Sequence, residues 1–299
     1  MSITKAVIPA AGFGTRMLPA AKVVPKELLP ILDRPTIQYV VEEAAGAGIE
    51  DVWLVTSKGK QAIDDHFRPH ETLEQRLRAA GKESLLDSIN QLISKVRVHS
   101  VNQPQQRGLG DAVHQARNHV ENQPFLCLLG DTIFTGDSPS RQLVEAHRTL
   151  GASVIGLEEV PLEKVDRYGI VGVESTGEPA LAGGVFRITT LIEKPAPHRA
   201  PSRYAIAARY LLTPTIFECL DETPPGKGGE IQLTDTLKLL LKREPIHGVI
   251  LRGKRHDIGN PIDWLKTNLI FASRDQAMWK QIAPLVRELI DESFSRDSA

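Results

Sequence analysis

The chain has 299 residues, enough to bury a large core, and its 41% hydrophobic and 24% charged content is ordinary globular composition. A formal net charge of −1 provides no global field for nucleic acid or an anionic membrane, so any basic site must be local. No run approaches the roughly 18 apolar residues of a membrane span, and two cysteines, Cys127 and Cys219, are too few for a disulfide framework or a zinc cluster.

The first residues, Met1 to Lys5, lead into a strand without a signal-peptide pattern, so a soluble cytoplasmic protein with no nucleic-acid or membrane partner is expected. Ala6-Val7-Ile8 is the apolar run of a buried parallel strand. It breaks into Ala10-Ala11-Gly12-Phe13-Gly14-Thr15-Arg16, where small residues let backbone N–H groups approach a ligand. Arg16, Lys22 and Lys26 follow, on a segment stiffened by Pro19, Pro25 and Pro30. A glycine turn leaving a strand, followed by spaced cations, describes a polyphosphate site. It is not a Walker A loop, which needs Gly-x4-Gly-Lys-Ser/Thr, and Met17 stands where the dinucleotide fingerprint needs its third glycine. The residues alone leave a Gly-rich turn with solvated cations as the competing reading.

Thr36 to Ala47 has helical spacing, and 51–56 reads as a strand, which together open an α/β sheet with ligands at the strands' carboxyl ends. Residues 58–95 are charged and helix-forming, with a stripe of Leu85, Leu86, Ile89, Leu92 and Ile93; a surface helical pair is expected there. His66 and His70 are separated by Pro69 and make no ligand pair. Val96 to Val101 alternates as a strand and delivers Gln103, after which Gly108 to Ala112 opens a helix reaching about His119. Gln103 on its own reads as a loop amide.

Phe125 to Leu129 is the most hydrophobic run and predicts a central strand ending in Gly130-Asp131. A carboxylate there is placed for a hard cation, or simply caps the next turn. Strands are expected over 152–160, from Tyr168 and over 205–212, with a loop at 226–230, a helix at 232–242 and a strand at Val249 to Leu251. Glu193-Lys194 reads either as a solvated pair or as two site residues. The second requires a strand end, because neighbours on a strand face opposite ways, and Pro195 supports one. Asp235 suits a helix N-terminus. Arg255 to Pro261 turns into a helix over 262–271, and the amphipathic tail from Trp279 to Phe294 is expected to break at Pro284.

Gly12-x-Gly14-Thr15-Arg16-x-x-Pro19-x-x-Lys22-x-x-Pro25-Lys26-Glu27 resembles the opening motif of the sugar-phosphate nucleotidylyltransferases. The likeness continues, in order, through Gln103, Gly108-Leu109-Gly110, Asp131, Tyr168 to Val171, Glu193-Lys194-Pro195, Gly228 to Asp235 and Asp257, and so covers nearly the whole chain. It implies an α/β fold: a Rossmann-like, mixed and mostly parallel central sheet flanked by helices. It also implies one domain over 1–299, with a helical insertion near 58–95 and a helical tail near 261–299.

The activity the resemblance implies is Mg2+-dependent transfer of UMP from UTP to α-D-glucose 1-phosphate, giving UDP-glucose and pyrophosphate. Arg16 and Lys26 are then catalytic. Ala10, Ala11, Gly12, Gly14, Thr15, Glu27, Gln103 and Gly108 hold the nucleotide, Gly169, Glu193 and Lys194 the sugar phosphate, and Asp131 and Asp257 the Mg2+. A homodimer or homotetramer joined through the C-terminal helices is expected. A sister enzyme using dTTP or another sugar phosphate, and a catalytically weak regulatory paralogue, are the alternatives; the full set of Arg16, Lys26, Asp131, Lys194 and Asp257 speaks against the second. Asp111 stands where the family has histidine, Ala208 where it has glycine, and Ala21-Lys22 replaces Thr-Lys. None of these removes a charge from the site, but Asp111 bears on base choice and Ala208 on sugar choice.

Overall fold

A computed structural model describes residues 3–175 and 184–296. The chain opens with β1 (Lys5–Pro9), passes three short helical turns and a ribbon of β2 (Pro30–Ile31) and β3 (Arg34–Pro35), and enters α1 (Thr36–Gly46) and β4 (Asp51–Thr56). Three short helices, α2 (Gln61–His66), α3 (Glu71–Ala79) and α4 (Asp87–Ile93), lead to β5 (Arg97–Asn102). Next come α5 (Leu109–Gln115), β6 (Phe125–Leu128), β7 (Thr132–Thr135), α6 (Pro139–Leu150) and β8 (Ser153–Glu159). The second half contributes β9 (Gly169–Ser175), β10 (Val185–Glu193), β11 (Tyr204–Leu212), α7 (Thr215–Glu222), α8 (Leu233–Leu240), β12 (Ile246–Ile250), β13 (Lys254–Asp257), α9 (Pro261–Arg274) and α10 (Gln276–Arg296).

Nine strands form one sheet in the order β5-β4-β1-β6-β11-β8-β12-β10-β9. The mixed α/β sheet is the expected one, with its parallel part confined to β5-β4-β1-β6 and the β8–β12 pair. The remaining pairings are antiparallel, so the sheet is about evenly divided between the two senses and not mostly parallel as expected. Period-two alternation puts both faces of the sheet into cores. Ala6 and Ile8 of β1 and Leu126 and Leu128 of β6 meet Ile37, Val40 and Val41 of α1 on one side. Val7, Phe125 and Cys127 meet Val113 and Leu237 on the other. Both carboxyl ends of β1 and β6 therefore open onto the same edge, where their loops face each other.

Within 58–95 three helices replace the expected pair. Leu92 is buried, but Leu85 is 69% exposed, so the apolar stripe covers the sheet only at its C-terminal end. The expected break at Pro284 does not occur: α10 runs through it. A proline removes a single i→i−4 bond, and the Leu, Arg and Glu residues that follow are strong helix formers. Residues 297–299 of the expected tail, and the Phe294 side chain, lie outside the described residues.

Strand β11 carries a bulge. Its register with β8 shifts between Ile206 and Tyr210, and Ala208 within it takes φ 59°. A Cβ in this left-handed region costs roughly 1–2 kcal/mol. Ala208→Gly is expected to raise stability by up to about 1 kcal/mol, the relief being partly offset by greater unfolded-state freedom. Denaturant melts check this, and a destabilised glycine variant would contradict it.

Candidate functional site

The loop after β1 is held from beneath. The Lys60 ammonium donates to the carbonyls of Ala10 (2.6 Å) and Gly12 (2.7 Å), and the Ser57 hydroxyl donates to that of Ala11 (3.0 Å). In a trans peptide the N–H points opposite to its carbonyl. Three carbonyls pulled down therefore turn the N–H groups of Ala11, Gly12 and Phe13 up, and among the described residues they meet no acceptor. This is an anion nest built of backbone. Lys60 is 8% exposed and also pairs with the Glu27 carboxylate at 2.9 Å. Burial opposes both charges, pushing Glu27 up and Lys60 down from their ordinary values. Sequence reasoning placed Lys60 in a surface segment; the available signal was a cation just past the end of the strand beside the glycine loop.

Lys26 reaches across this loop to Asp131, Nζ to Oδ2 2.5 Å. Burial alone would lower the lysine, but the Asp131 and Glu27 carboxylates outweigh it and hold Lys26 above its ordinary value. Burial likewise would raise Asp131, yet Lys26 and then Arg16 keep it below the ordinary carboxylate range. The turn bearing Asp131 is fixed by Arg209, a fully buried guanidinium that pairs with Glu43 (2.8 Å) and donates to the Thr132 carbonyl (2.7 Å).

Asp257, expected on the turn into the next helix, instead ends β13, which pairs with β7 so that Asp257 stands opposite Thr132. The ribbon brings it beside Asp131, whose carbonyl accepts from the Ile258 N–H at 2.9 Å. Arg16 lies over Gly259: a Cβ there would sit 2.7 Å from its Nη2 and 2.8 Å from Asp257 Oδ1, so a larger residue would displace the ends of both side chains.

On the base side, Gln103 is 3% exposed and donates from Nε2 to Asp111 Oδ2 (2.7 Å) and to the Gly108 carbonyl (3.3 Å). Gly108 takes φ 97°, and a Cβ on it would meet the Ile231 carbonyl at 2.8 Å. On the sugar side, Gly169 starts β9 and Glu193 ends β10, paired with each other. The strand end needed at Glu193-Lys194 is present: Lys194 takes φ 46°, and its Nζ returns to 3.6 Å from Glu193 Oε1. Glu193 also accepts from the Thr234 hydroxyl at 2.7 Å.

These groups line two adjoining clefts. One, of about 680 Å3, is lined by Ala10, Ala11, Gly12, Gly14, Thr15, Arg16, Lys26, Glu27, Gln103, Gly108 and Asp131. The other, of about 940 Å3, is lined by Thr15, Arg16, Asp131, Gly169, Glu193, Lys194 and Asp257. Every residue to which the resemblance gives a catalytic, nucleotide, sugar-phosphate or metal role lines one of them, and Thr15, Arg16 and Asp131 line both. Lys22 alone among the early cations lines neither. No group of three or more His, Cys, Asp or Glu gathers among the described residues. The two carboxylates fit an ion such as Mg2+, which takes hard oxygen donors, needs few from protein and completes its shell with phosphate and water.

Residues 5–274 match the nucleotidyl transferase family. The UTP–glucose-1-phosphate uridylyltransferase 1 of Staphylococcus saprophyticus is 44% identical over 290 residues, 97% of this chain and 99% of that protein. A solved structure of a UTP-bound UGPase from Acinetobacter baumannii superposes with a TM-score of 0.88 at 36% identity, covering 96% of this chain and 100% of its own. A UDP-glucose pyrophosphorylase complexed with UDP-glucose superposes with a TM-score of 0.83 at 38% identity, covering 91% and 100%.

Proposed function

The chain belongs to the nucleotidyl transferase family, and from that premise we propose that it transfers UMP from UTP to α-D-glucose 1-phosphate, releasing pyrophosphate and forming UDP-glucose. The observation that carries this reading is the junction of the two clefts at Asp131 and Arg16, with a backbone anion nest on one side and Glu193-Lys194 on the other. The named relatives support the choice of UTP and glucose 1-phosphate.

A glucose 1-phosphate oxygen attacks the α-phosphorus of UTP, the bond to the β-phosphate oxygen breaks, and pyrophosphate leaves. No protein nucleophile is needed, so positioning and charge neutralisation supply the catalysis. The N–H groups of Ala11 to Phe13 and the Arg16 guanidinium hold the triphosphate. Lys26 sits where α-phosphate charge builds up. Gln103 and Gly108 meet the uracil, Gly169 and Glu193 hold glucose hydroxyls, and Lys194 draws in the attacking phosphate against repulsion. Asp131 and Asp257 would hold Mg2+, which supplies Lewis-acid neutralisation at the α-phosphate.

We also place the protein in the cytoplasm, a reading supported by two buried free thiols, Cys127 and Cys219. We propose a homodimer or homotetramer, supported by exposed Ile262, Leu265 and Leu289 on α9 and α10. A sedimentation mass equal to the 32.9 kDa of one chain would contradict that assembly.

Pyrophosphate release with glucose 1-phosphate and Mg2+, measured in parallel with UTP, dTTP, CTP, ATP and GTP, tests the reaction. UTP is expected to be preferred, with activity lost on adding EDTA and in Asp131→Ala. Release with another nucleotide would move the base assignment and keep the chemistry. Silence across all nucleotides and a panel of sugar phosphates would overturn the reading.

A further inference from the structure

Gln103 sits at the mouth of the nest with its side chain almost wholly enclosed, and an amide can turn either its oxygen or its nitrogen to a ligand. Which end faces the cleft decides which base edge it reads. Asp111, on the first turn of α5, is 2% exposed and splits its carboxylate between partners. Oδ1 accepts from the Arg107 guanidinium at 2.8 Å, with Gln115 Nε2 at 3.5 Å, and Oδ2 accepts from Gln103 Nε2 at 2.7 Å. A carboxylate paired with arginine is an acceptor only. Turning the amide over would set Gln103 Oε1 against Asp111 Oδ2, two acceptors in a buried contact.

The second Gln103 N–H points at the Gly108 carbonyl, 3.3 Å away. Both nitrogen hydrogens are thus engaged by the protein, and no group among the described residues donates to Oε1. The Gly108 N–H next to it meets no acceptor among the described residues either. The cleft wall therefore presents one fixed acceptor beside one fixed donor.

We infer that Asp111 is a specificity-determining positioning residue: it locks the Gln103 amide so that Oε1 faces the nucleotide and accepts from the imide N3–H of a pyrimidine. Uracil and thymine carry that hydrogen. Cytosine has a lone pair at N3 and would meet oxygen with nitrogen. The lock therefore selects against CTP and does not separate UTP from dTTP. This rests on the assignment of Gln103 to the base, and it adds a residue that does not itself line the cleft.

The test is the ratio of kcat/KM for UTP to that for CTP, in the wild type, Asp111→Asn and Gln103→Ala. The wild type is expected to prefer UTP by at least about a hundredfold, since a site committed to one hydrogen-bonding pattern rejects its complement strongly. Asn at 111 can donate as well as accept, which frees Gln103 to turn, so the ratio should fall about tenfold or more, the worth of one misplaced hydrogen bond. A merely structural role for Asp111 would lower use of both nucleotides together and leave the ratio standing. An unchanged ratio in Asp111→Asn beside a collapsed one in Gln103→Ala overturns the lock but keeps the base assignment. An unchanged ratio in both overturns the assignment as well. Should Asp111→Asn fail to fold, the wild type still decides: comparable use of CTP and UTP contradicts the inference.

Discussion

Lys26→Ala is expected to lower kcat by about a hundredfold to a thousandfold, with KM for UTP changing far less. The lysine is protonated across the working range, because its neighbours Asp131 and Glu27 overcome burial and hold it above its ordinary value. In the free protein its charge is spent on Asp131 at 2.5 Å. In the proposed reaction, with triphosphate in the nest, that same charge would lie beside the phosphorus under attack, where negative charge grows as the leaving oxygen departs. An interaction that strengthens in the transition state appears in kcat rather than in KM. Steady-state kinetics over UTP and glucose 1-phosphate check this, and a kcat equal to wild type would remove Lys26 from the chemistry.

Lys60→Met is expected to damage both stability and the site. The substitution leaves the Glu27 carboxylate, 1% exposed, without its 2.9 Å partner. Stranding one member of a buried ion pair costs about 3–5 kcal/mol. It also releases the carbonyls of Ala10 and Gly12, so the N–H groups above them lose their common direction. Thermal melts should show a Tm lower by several degrees, and KM for UTP should rise about tenfold or more as the nest loosens. Adding Glu27→Gln to Lys60→Met should recover part of the stability, since no bare charge then remains, while leaving KM raised. A Lys60→Met protein with unchanged Tm and KM would refute the clamp.

Much of this architecture is readable from residues. The runs Ala6-Val7-Ile8 of β1 and Phe125 to Leu128 of β6 are apolar throughout, so both strands and their carboxyl-end loops follow from the sequence. Glu193-Lys194-Pro195 announces its own strand end, and Lys194 takes the left-handed conformation that the end requires. What stays hidden is pairing across distance. Lys26 meets Asp131 because the loops after β1 and β6 leave the same edge of the sheet, and Asp257 meets Thr132 because β7 and β13 form a ribbon beside it. Short polar strands such as Lys254 to Asp257 carry no periodic signal strong enough to place them.

Lys60 is concealed for another reason. A lysine in a charged helical segment is almost always solvated, and only the fold shows this one enclosed beneath backbone carbonyls. Arg209 is similar: it follows an apolar strand pattern, yet it is buried to hold the turn of Asp131 through the Thr132 carbonyl. Pro284 misleads in the opposite direction, because a local rule for breaking helices does not weigh the strong formers on its C-terminal side.

Attack by a glucose 1-phosphate oxygen on the α-phosphorus of UTP, with every P–O bond of the sugar phosphate kept, is tested most simply by labelling. With Mg2+, UTP and glucose 1-phosphate carrying heavy oxygen throughout its phosphate, mass spectrometry of the products follows every oxygen. The account predicts UDP-glucose bearing all of the label beside pyrophosphate bearing none. Label in the pyrophosphate, or no UDP-glucose at all, would contradict it.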